Sequence, residues 1–308
     1  TTKDAFKRNG EGDFAQLKSG ELIAVFGRWL GQSDHAGGAE LGIIRSNDDG
    51  KTWTAPATLF KEAGCDLYHG SLLRMSNGEL GLTYTRRKSP PLLKGEKAFR
   101  YSADDGATWS AEIIISDGEW KYYQTSACDR LIQLSNGRLL HPLSRMLNPK
   151  KTDDDVVNVV YASDDNGRTW TRKTREYLAE PQKKMFHEAS LVEYAPGKLL
   201  MLARTKTGFL WESRSEDFGD TWSPAQATSI GAPVAPPYLT QIPGTNSILL
   251  IWNPVSSTVI MPRDCLASQV SNDGGHTWHS YKQIEYVPKS AICYASGLWS
   301  GDKFHLMY

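Results

Sequence analysis

The chain has 308 residues, of which 40% are hydrophobic, so it can bury a sizeable core in one large all-β domain or two average domains. Its 35 Lys and Arg balance its 35 Asp and Glu, and this zero net charge gives no reason to expect nucleic acid or an anionic membrane as a partner. No apolar run approaches the roughly 20 residues that span a bilayer, and the first ten residues contain no hydrophobic signal region.

A hairpin pattern recurs along the whole chain. Each copy has an apolar stretch, a tight turn that contains glycine, and a second apolar stretch, which is typical of a β-hairpin. In chain order the copies are QLKSGELIAVF, RMSNGELGLTY, QLSNGRLLHPL, EYAPGKLLMLA, QIPGTNSILLIW and LWSGDKFHLMY, with turn glycines Gly20, Gly78, Gly137, Gly197, Gly244 and Gly301. The sequence therefore predicts six hairpins.

A second motif, Ser-x-Asp-x-Gly-x-Thr-Trp, alternates with the hairpins and occurs five times. The copies are SNDDGKTW, SADDGATW, SDDNGRTW, SEDFGDTW and SNDGGHTW, and their first residues, Ser46, Ser102, Ser163, Ser215 and Ser271, are 56, 61, 52 and 56 residues apart. A repeat of this length made of short strands is typical of a four-stranded propeller blade, and the sustained 3.6-residue periodicity of helical repeats is missing. We expect the motif to join the third and fourth strands, with Asp accepting backbone N–H bonds, Gly left-handed and Trp packed between blades.

Connections of such a blade alternate between two faces, so first-strand starts and second-strand ends should converge on the face opposite this motif. The first-strand starts carry Glu11, Asp13, His69, Asp129, Arg130, Glu188 and Tyr294. The second-strand ends carry Arg28, Arg86, Arg145 and Arg204, and the loops that follow carry Asp34, His35 and Arg263. Arginines at the ends of four second strands indicate an anion-binding mouth, because Arg pairs with carboxylates bidentately. Any one of these arginines could equally be a solvent-exposed charge without a binding role.

The five Ser/Asp/Trp motifs resemble the Asp boxes, or BNR repeats, of the sialidase (neuraminidase) superfamily, and the resemblance covers nearly the whole chain. It implies an all-β fold, a six-bladed β-propeller of four-stranded antiparallel blades in one domain over residues 1–308. Because the last predicted hairpin supplies only the first two strands of its unit, we expect the sixth blade to be incomplete. We expect no cofactor and no metal: the four cysteines are too widely spaced for a zinc site, and no Glu follows an Asp box at the EF-hand distance. The cysteines could form two disulfides or remain buried thiols.

Further segments resemble those that carry the sialidase active site, in the same order. Asp34 in GRWLGQSDHAGG is at the general-acid position, FHEASLVEYAPGKLLMLAR supplies Glu188 and Arg204, MPRDC supplies Arg263, and CYASGLW supplies Tyr294. The resemblance implies that Tyr294 is the nucleophile, Glu188 its base and Asp34 the acid, while Arg204 and Arg263 hold the substrate carboxylate. The substrate would be a glycan or small acidic sugar, and a secreted or periplasmic location is favoured, with an intracellular one left open.

One departure from the superfamily concerns the start of blade one, where sialidases carry an arginine and this chain reads RNGEGDFAQL. Either Arg8 or Arg28 takes its place, or the carboxylates of Glu11 and Asp13 oppose an anionic substrate group. We include Arg28, Arg86, Arg145, Glu11, Asp13 and His69 among the predicted substrate-binding residues. Three functions follow: an exo-sialidase, a hydrolase or lyase of another acidic sugar such as a uronic or ulosonic acid, and a non-catalytic glycan-binding or protein-binding propeller.

Overall fold

The computed structural model describes residues 6–31, 38–88, 94–116, 123–146, 156–174 and 185–308. The regular elements of these residues are β-strands, which form antiparallel sheets arranged as the blades of a propeller. The first strands of successive blades pack beside one another, as β1 packs on β5 and β14 on β18. Within the described ranges, no segment forms a helix with the length and apolar character that a bilayer crossing needs.

The first three blades take up the N-terminal half of the chain. Blade one contains β1 (Arg8–Gln16), β2 (Leu22–Trp29), β3 (Ala39–Ser46) and β4 (Ala57–Phe60). Blade two contains β5 (Cys65–Arg74), β6 (Leu80–Lys88), β7 (Gly95–Ser102) and β8 (Ile113–Ile114). Blade three contains β9 (Gln124–Thr125), β10 (Ile132–Gln133), β11 (Leu139–Met146), β12 (Val156–Ser163) and β13 (Thr171–Arg172). Its fifth strand arises because both β9 and β10 pair with β11.

Two further blades and a smaller sheet follow. Blade four contains β14 (His187–Ala195), β15 (Lys198–Arg204), β16 (Phe209–Ser215) and β17 (Gln226–Gly231). Blade five contains β18 (Tyr238–Gln241), β19 (Ile248–Trp252), β20 (Cys265–Ser271) and β21 (His279–Tyr286). The last sheet has two strands, β22 (Ser296–Ser300) and β23 (Lys303–Met307).

The expectation of six four-stranded blades is wrong for the part of the chain that the structure describes, which forms five blades and a two-stranded sheet. The N-terminal segment adds no strand to that sheet, because residues 8–10 pair with the end of β2 and so extend blade one. The small sheet nevertheless lies between blades five and one. Phe304 and Leu306 pack against the core of blade five, and Lys303 Nζ donates to Asp49 Oδ2 of blade one at 2.7 Å.

The six predicted hairpins are present, and their turns explain the glycines in the sequence. The six turn glycines have φ between +61° and +89°. Residues with a Cβ rarely adopt this left-handed conformation, whereas glycine reaches it without a clash. The prediction of the first two strands of each unit is therefore confirmed.

The Asp boxes fold as the predicted turns. In the second copy, Asp104 accepts hydrogen bonds from the Thr108 hydroxyl at 2.6 Å, the Thr108 N–H at 2.8 Å and the Ser102 hydroxyl at 2.8 Å. These bonds, that from the Thr108 hydroxyl foremost, lower the pKa of Asp104 to about 2. Four of the motif tryptophans pack against core clusters, whereas Trp53 is 38% exposed and departs from the expected packing between blades.

All four cysteines are free thiols, which decides the alternative that the sequence left open. Cys65, Cys128 and Cys265 are buried, and Cys293 is partly exposed. Burial raises the pKa of the Cys128 thiol well above its ordinary range. These side chains therefore pack as small apolar residues.

The starts of the first strands share a distorted backbone. Glu11, His69, Asp129, Glu188 and Tyr294 all have φ between +49° and +61°, and β1, β5 and β14 each have a register shift at this point. Non-glycine residues rarely adopt such values, and they persist where the surrounding structure over-determines them, often at functional sites. The same distortion thus recurs at the positions where the sequence predicts a site.

Candidate active site

A cavity of about 700 Å³ opens where the first strands begin. It is bordered by β1, β5 and β14 at their register shifts and by the ends of β6, β11 and β15, and none of the Asp-box residues lines it. Its lining contains five cationic side chains and two carboxylates: Arg8, Arg87, Arg204, Lys206, Arg263, Glu11 and Glu188. This excess of positive charge suits an anionic ligand.

Tyr294, Glu188 and Arg204 form the centre of the cavity. The Tyr294 hydroxyl donates a hydrogen bond to Glu188 Oε1 at 3.3 Å, and Arg204 Nη2 lies 3.1 Å from Glu188 Oε2. Glu188 and Arg204 come from neighbouring strands of one hairpin and are 3% and 5% exposed, whereas Tyr294 is partly exposed. The ring of blades therefore brings a distant tyrosine against a buried ion pair.

The electrostatics of this group keep Glu188 ionised and Tyr294 protonated. Burial alone would raise the pKa of Glu188, but the charges of Arg204 and His187, followed by those of His69 and Arg263, outweigh burial and lower it to about 2. Burial, and then the charge of Glu188, raises the pKa of Tyr294 well above its ordinary value. A carboxylate next to a phenol can accept its proton when the phenol oxygen attacks an electrophile.

Two arginines converge beside Tyr294. Arg204 Nη1 and Arg263 Nη2 both donate to the carbonyl oxygen of Val234, the former at 3.4 Å. The Arg263 guanidinium carbon is 5.7 Å from the centroid of the Tyr294 ring, and Arg204 Nη1 is 3.5 Å from the Tyr294 hydroxyl. This arrangement places two guanidinium groups where they can bind one carboxylate beside the phenol.

A second charged group comes from blades one and two. His69 Nε2 lies 2.9 Å from Glu11 Oε2, and Arg8 pairs with the other carboxylate oxygen. The His69 ring stacks on that of Tyr294, with centroids 6.0 Å apart and planes 18° apart. Burial would raise the pKa of Glu11, but His69 and Arg8 outweigh it and lower the pKa. Blade one therefore brings both an arginine and a carboxylate to the cavity.

Arg28 and Arg86, predicted to bind substrate, lie outside the cavity. Arg28 Nη1 is 3.2 Å from Glu40 Oε1, and Arg86 pairs with Glu62 and Glu96. The strand register explains this placement. Arg204 pairs with the residue directly before the bulge of its blade, whereas Arg28 and Arg86 pair with the residue two before it. A shift of one residue turns a side chain to the opposite face of a sheet.

Asp13 and Arg145, also predicted to bind substrate, are elsewhere too. Asp13 Oδ2 accepts a hydrogen bond from the Leu72 N–H at 2.7 Å, and Asp13 lines a separate cavity of about 510 Å³. Burial, followed by the charge of Asp129, raises the pKa of Asp13. Arg145 is 4% exposed, and its neighbour Met146 lines the active-site cavity instead, because successive side chains of a strand alternate.

The remaining predicted site residues either line the cavity or lie outside the described residues. Glu11, His69, Glu188, Arg204, Arg263 and Tyr294 all line the one cavity, and Asp34 lies outside the described residues. The sequence reasoning left out several residues of the lining: Arg87, Met146, Met185, His187, Lys206, Val234, Thr258, Val259 and Ile260. Strand alternation next to Arg86 could have identified Arg87, which pairs with buried Asp66 at 2.9 Å.

The comparisons with known proteins agree with this architecture. The model of the BNR repeat-like domain family matches residues 17–306. A sialidase from Bacteroides fragilis (strain YCH46) is 27% identical over 194 residues, which are 59% of this chain and 33% of that protein.

Solved structures extend the fold comparison to nearly the whole chain. A Hadza microbial sialidase superposes with a TM-score of 0.78 at 20% identity, covering 96% of this chain and 61% of that one. The Trypanosoma rangeli sialidase in complex with sialic acid superposes with a TM-score of 0.74 at 17% identity, covering 98% and 52%. This chain thus spans less than two thirds of each of these relatives. The chain belongs to the BNR repeat-like domain family and has the β-propeller fold of the sialidases.

Proposed function

We propose that this chain carries the active site of a retaining exo-glycoside hydrolase of sialidase type, which removes a terminal sialic acid or similar acidic sugar from a glycan. The observation that carries the proposal is the contact of Tyr294 with Glu188, 3.3 Å apart, beside Arg204 in a cavity with an excess of cationic side chains. The sialidases among the relatives support the same class of reaction.

The choice of nucleophile follows from the substrate. A sialic acid carries a carboxylate on its anomeric carbon, which repels a carboxylate nucleophile but not a neutral phenol, and sialidases are the known exception that uses Tyr. Tyr294 is held in the protonated form, so it needs a base. Glu188 is ionised and lies against the hydroxyl, which makes it the acceptor.

The reaction then proceeds in two balanced steps. Tyr294 forms a bond to the anomeric carbon as its proton moves to Glu188, and the glycosidic C–O bond breaks as Asp34 gives a proton to the leaving oxygen. Water next attacks the anomeric carbon and gives its proton to the Asp34 carboxylate, while the bond to Tyr294 breaks and Glu188 returns its proton to the phenol oxygen; this second displacement restores the configuration of the sugar. The role of Asp34 rests on the sequence resemblance, since this residue is outside the described ranges.

Three arginines would hold the substrate carboxylate. Arg204 and Arg263 share the carbonyl of Val234 and flank Tyr294. Arg8 supplies the arginine of blade one, and its guanidinium carbon is also 4.4 Å from the centroid of the Trp29 ring. Arginine suits this role because its planar fork binds a carboxylate bidentately.

A second candidate substrate is a different acidic sugar, such as a uronic or other ulosonic acid. The observation in its favour is Glu11, whose ionised carboxylate lines the cavity beside His69 and Arg8. This carboxylate would accept a hydrogen bond from a substrate hydroxyl and would repel an anionic group placed next to it. A non-catalytic glycan-binding propeller would use the same cavity without bond cleavage.

The experiment is hydrolysis of a panel of 4-methylumbelliferyl glycosides that includes sialic acid and uronic acids. We compare the wild type with Tyr294→Phe, Glu188→Gln and the double variant, and use Tyr281→Phe as a control, because Tyr281 is 54% exposed and outside the cavity. Residues that act as a unit are non-additive, so the three active-site variants should share a similar low residual rate.

The outcomes separate the candidate functions. Turnover of the sialic acid glycoside that Tyr294→Phe abolishes supports the proposal, and turnover of a uronic acid glycoside alone favours the second candidate. Full activity of Tyr294→Phe would rule out the tyrosine mechanism. Binding of an acidic sugar without any turnover would identify a lectin-like propeller.

A further inference from the structure

An exposed apolar loop borders the active-site cavity. The loop between β19 and β20 contains Val255, Val259, Ile260 and Met261, which are 36%, 61%, 56% and 40% exposed. Four of the eleven exposed large hydrophobic side chains in the described ranges thus fall within seven consecutive positions. Val259 and Ile260 also line the cavity. Exposed apolar side chains concentrated at a cavity indicate a binding role.

Backbone hydrogen bonds hold this loop in place. The Val259 carbonyl accepts the N–H of Val234 at 3.1 Å, and Ser257 N–H donates to the Ala232 carbonyl at 3.3 Å. Val234 is also the residue whose carbonyl receives Arg204 and Arg263. The backbone of the loop is therefore attached to the same segment that receives the two arginines.

The direction of attack decides which part of a substrate meets the loop. The Tyr294 hydroxyl is hydrogen-bonded to Glu188 and Arg204, which are 3% and 5% exposed, so the nucleophile attacks from the buried floor of the cavity. The leaving group of a displacement lies on the face opposite the nucleophile, which here is towards the open mouth. The exposed side chains of Val259 and Ile260 stand at that mouth.

We propose that Val259 and Ile260 form a subsite for an apolar aglycone, so that the site prefers glycosides whose leaving group is hydrocarbon-like. The inference rests on the proposed function, and it names the class of leaving group that this function would act on. Covering the exposed parts of two aliphatic side chains with apolar ligand surface corresponds to about a tenfold gain in affinity. The acidic sugar itself would bind deeper, against the arginines.

The experiment compares methyl and hexyl glycosides of sialic acid. Their leaving groups, methanol and hexanol, have similar acidity and differ mainly in the length of the hydrocarbon chain. The wild type should show a higher kcat/KM for the hexyl glycoside, and the Val259→Ser, Ile260→Ser double variant should lose about tenfold of that preference. Val287→Ser is the matched control, since Val287 is 42% exposed and outside the cavity. A second pair, with N-acetyl or N-propanoyl groups on the sugar, tests whether the loop contacts the ring substituent instead.

Each outcome decides the inference. An unchanged hexyl-to-methyl ratio in the double variant overturns it, as does an effect confined to the N-acyl pair. If the wild type hydrolyses neither glycoside, the proposed function fails, and calorimetric binding of the same two glycosides then tests the subsite by itself. A tighter hexyl complex that the double variant weakens would still support the subsite, whereas equal binding or none would overturn it.

Discussion

The buried ion pair between Glu188 and Arg204 predicts a stability difference that depends on pH. Glu188→Gln keeps the size of the side chain but cannot be ionised. The folded-state pKa of about 2, set against an ordinary value of 4.5, corresponds to about 3 kcal/mol at about 1.4 kcal/mol per tenfold change in proton affinity. At pH 7 the variant should therefore unfold with a free energy about 3 kcal/mol lower than that of the wild type.

The sign of the pH effect follows from the lowered pKa. Stabilisation by ionised Glu188 is fully present above pH 4.5 and is lost as the pH falls through 4.5 towards 2, because the unfolded chain then binds the proton first. The difference between the two proteins should shrink to about 2 kcal/mol at pH 3.5. Urea unfolding followed by tryptophan fluorescence at both pH values measures it.

The control for this measurement is Glu216→Gln, because Glu216 is exposed and should change stability by less than about 0.5 kcal/mol at either pH. A difference for Glu188→Gln that is the same at pH 7 and pH 3.5 would refute the reasoning. It would mean that the variant acts through packing or through the unpaired Arg204, and not through the ionisation of Glu188.

Two further predictions concern residues outside the candidate active site. Asp217→Ala removes the side chain that accepts the Thr221 N–H at 2.8 Å in an Asp box, and it should lower the free energy of unfolding by about 1–2 kcal/mol, as measured by urea unfolding. Initial rates should show an unchanged kcat/KM. A reduced kcat/KM in a variant of full stability would contradict this prediction. Lys97 is fully buried with its Nζ 2.9 Å from the His69 carbonyl, and burial lowers its pKa, so the unfolded chain binds more protons and stability should rise from pH 7 towards pH 10. Lys97→Met should remove that rise, and a rise of the same size in both proteins would show that Lys97 is not its source.

Local chemistry explains why much of the fold can be predicted from the sequence. The six hairpin turns need a glycine because their φ is positive, and each Asp box closes on itself through hydrogen bonds within eight residues. Their alternation also determines which connections share a face, and this is why Glu188, Arg204, Arg263 and Tyr294 could be predicted to meet.

The tertiary structure decided what depends on register and on distant partners. In β5 the bulge and the strand register set which of two neighbouring residues of β6 faces the cavity, so Arg87 lines it while Arg86 does not, and alternation along β11 likewise places Met146 there instead of Arg145. A side-chain period of two makes this choice sensitive to a shift of one residue, which hydrophobic patterning does not resolve at strand ends. Residues 8–10 pair with β2, so Arg8 lies at the cavity and the last sheet has only two strands. The sequence does not show this pairing, because backbone hydrogen bonds between separate segments determine where each strand lies.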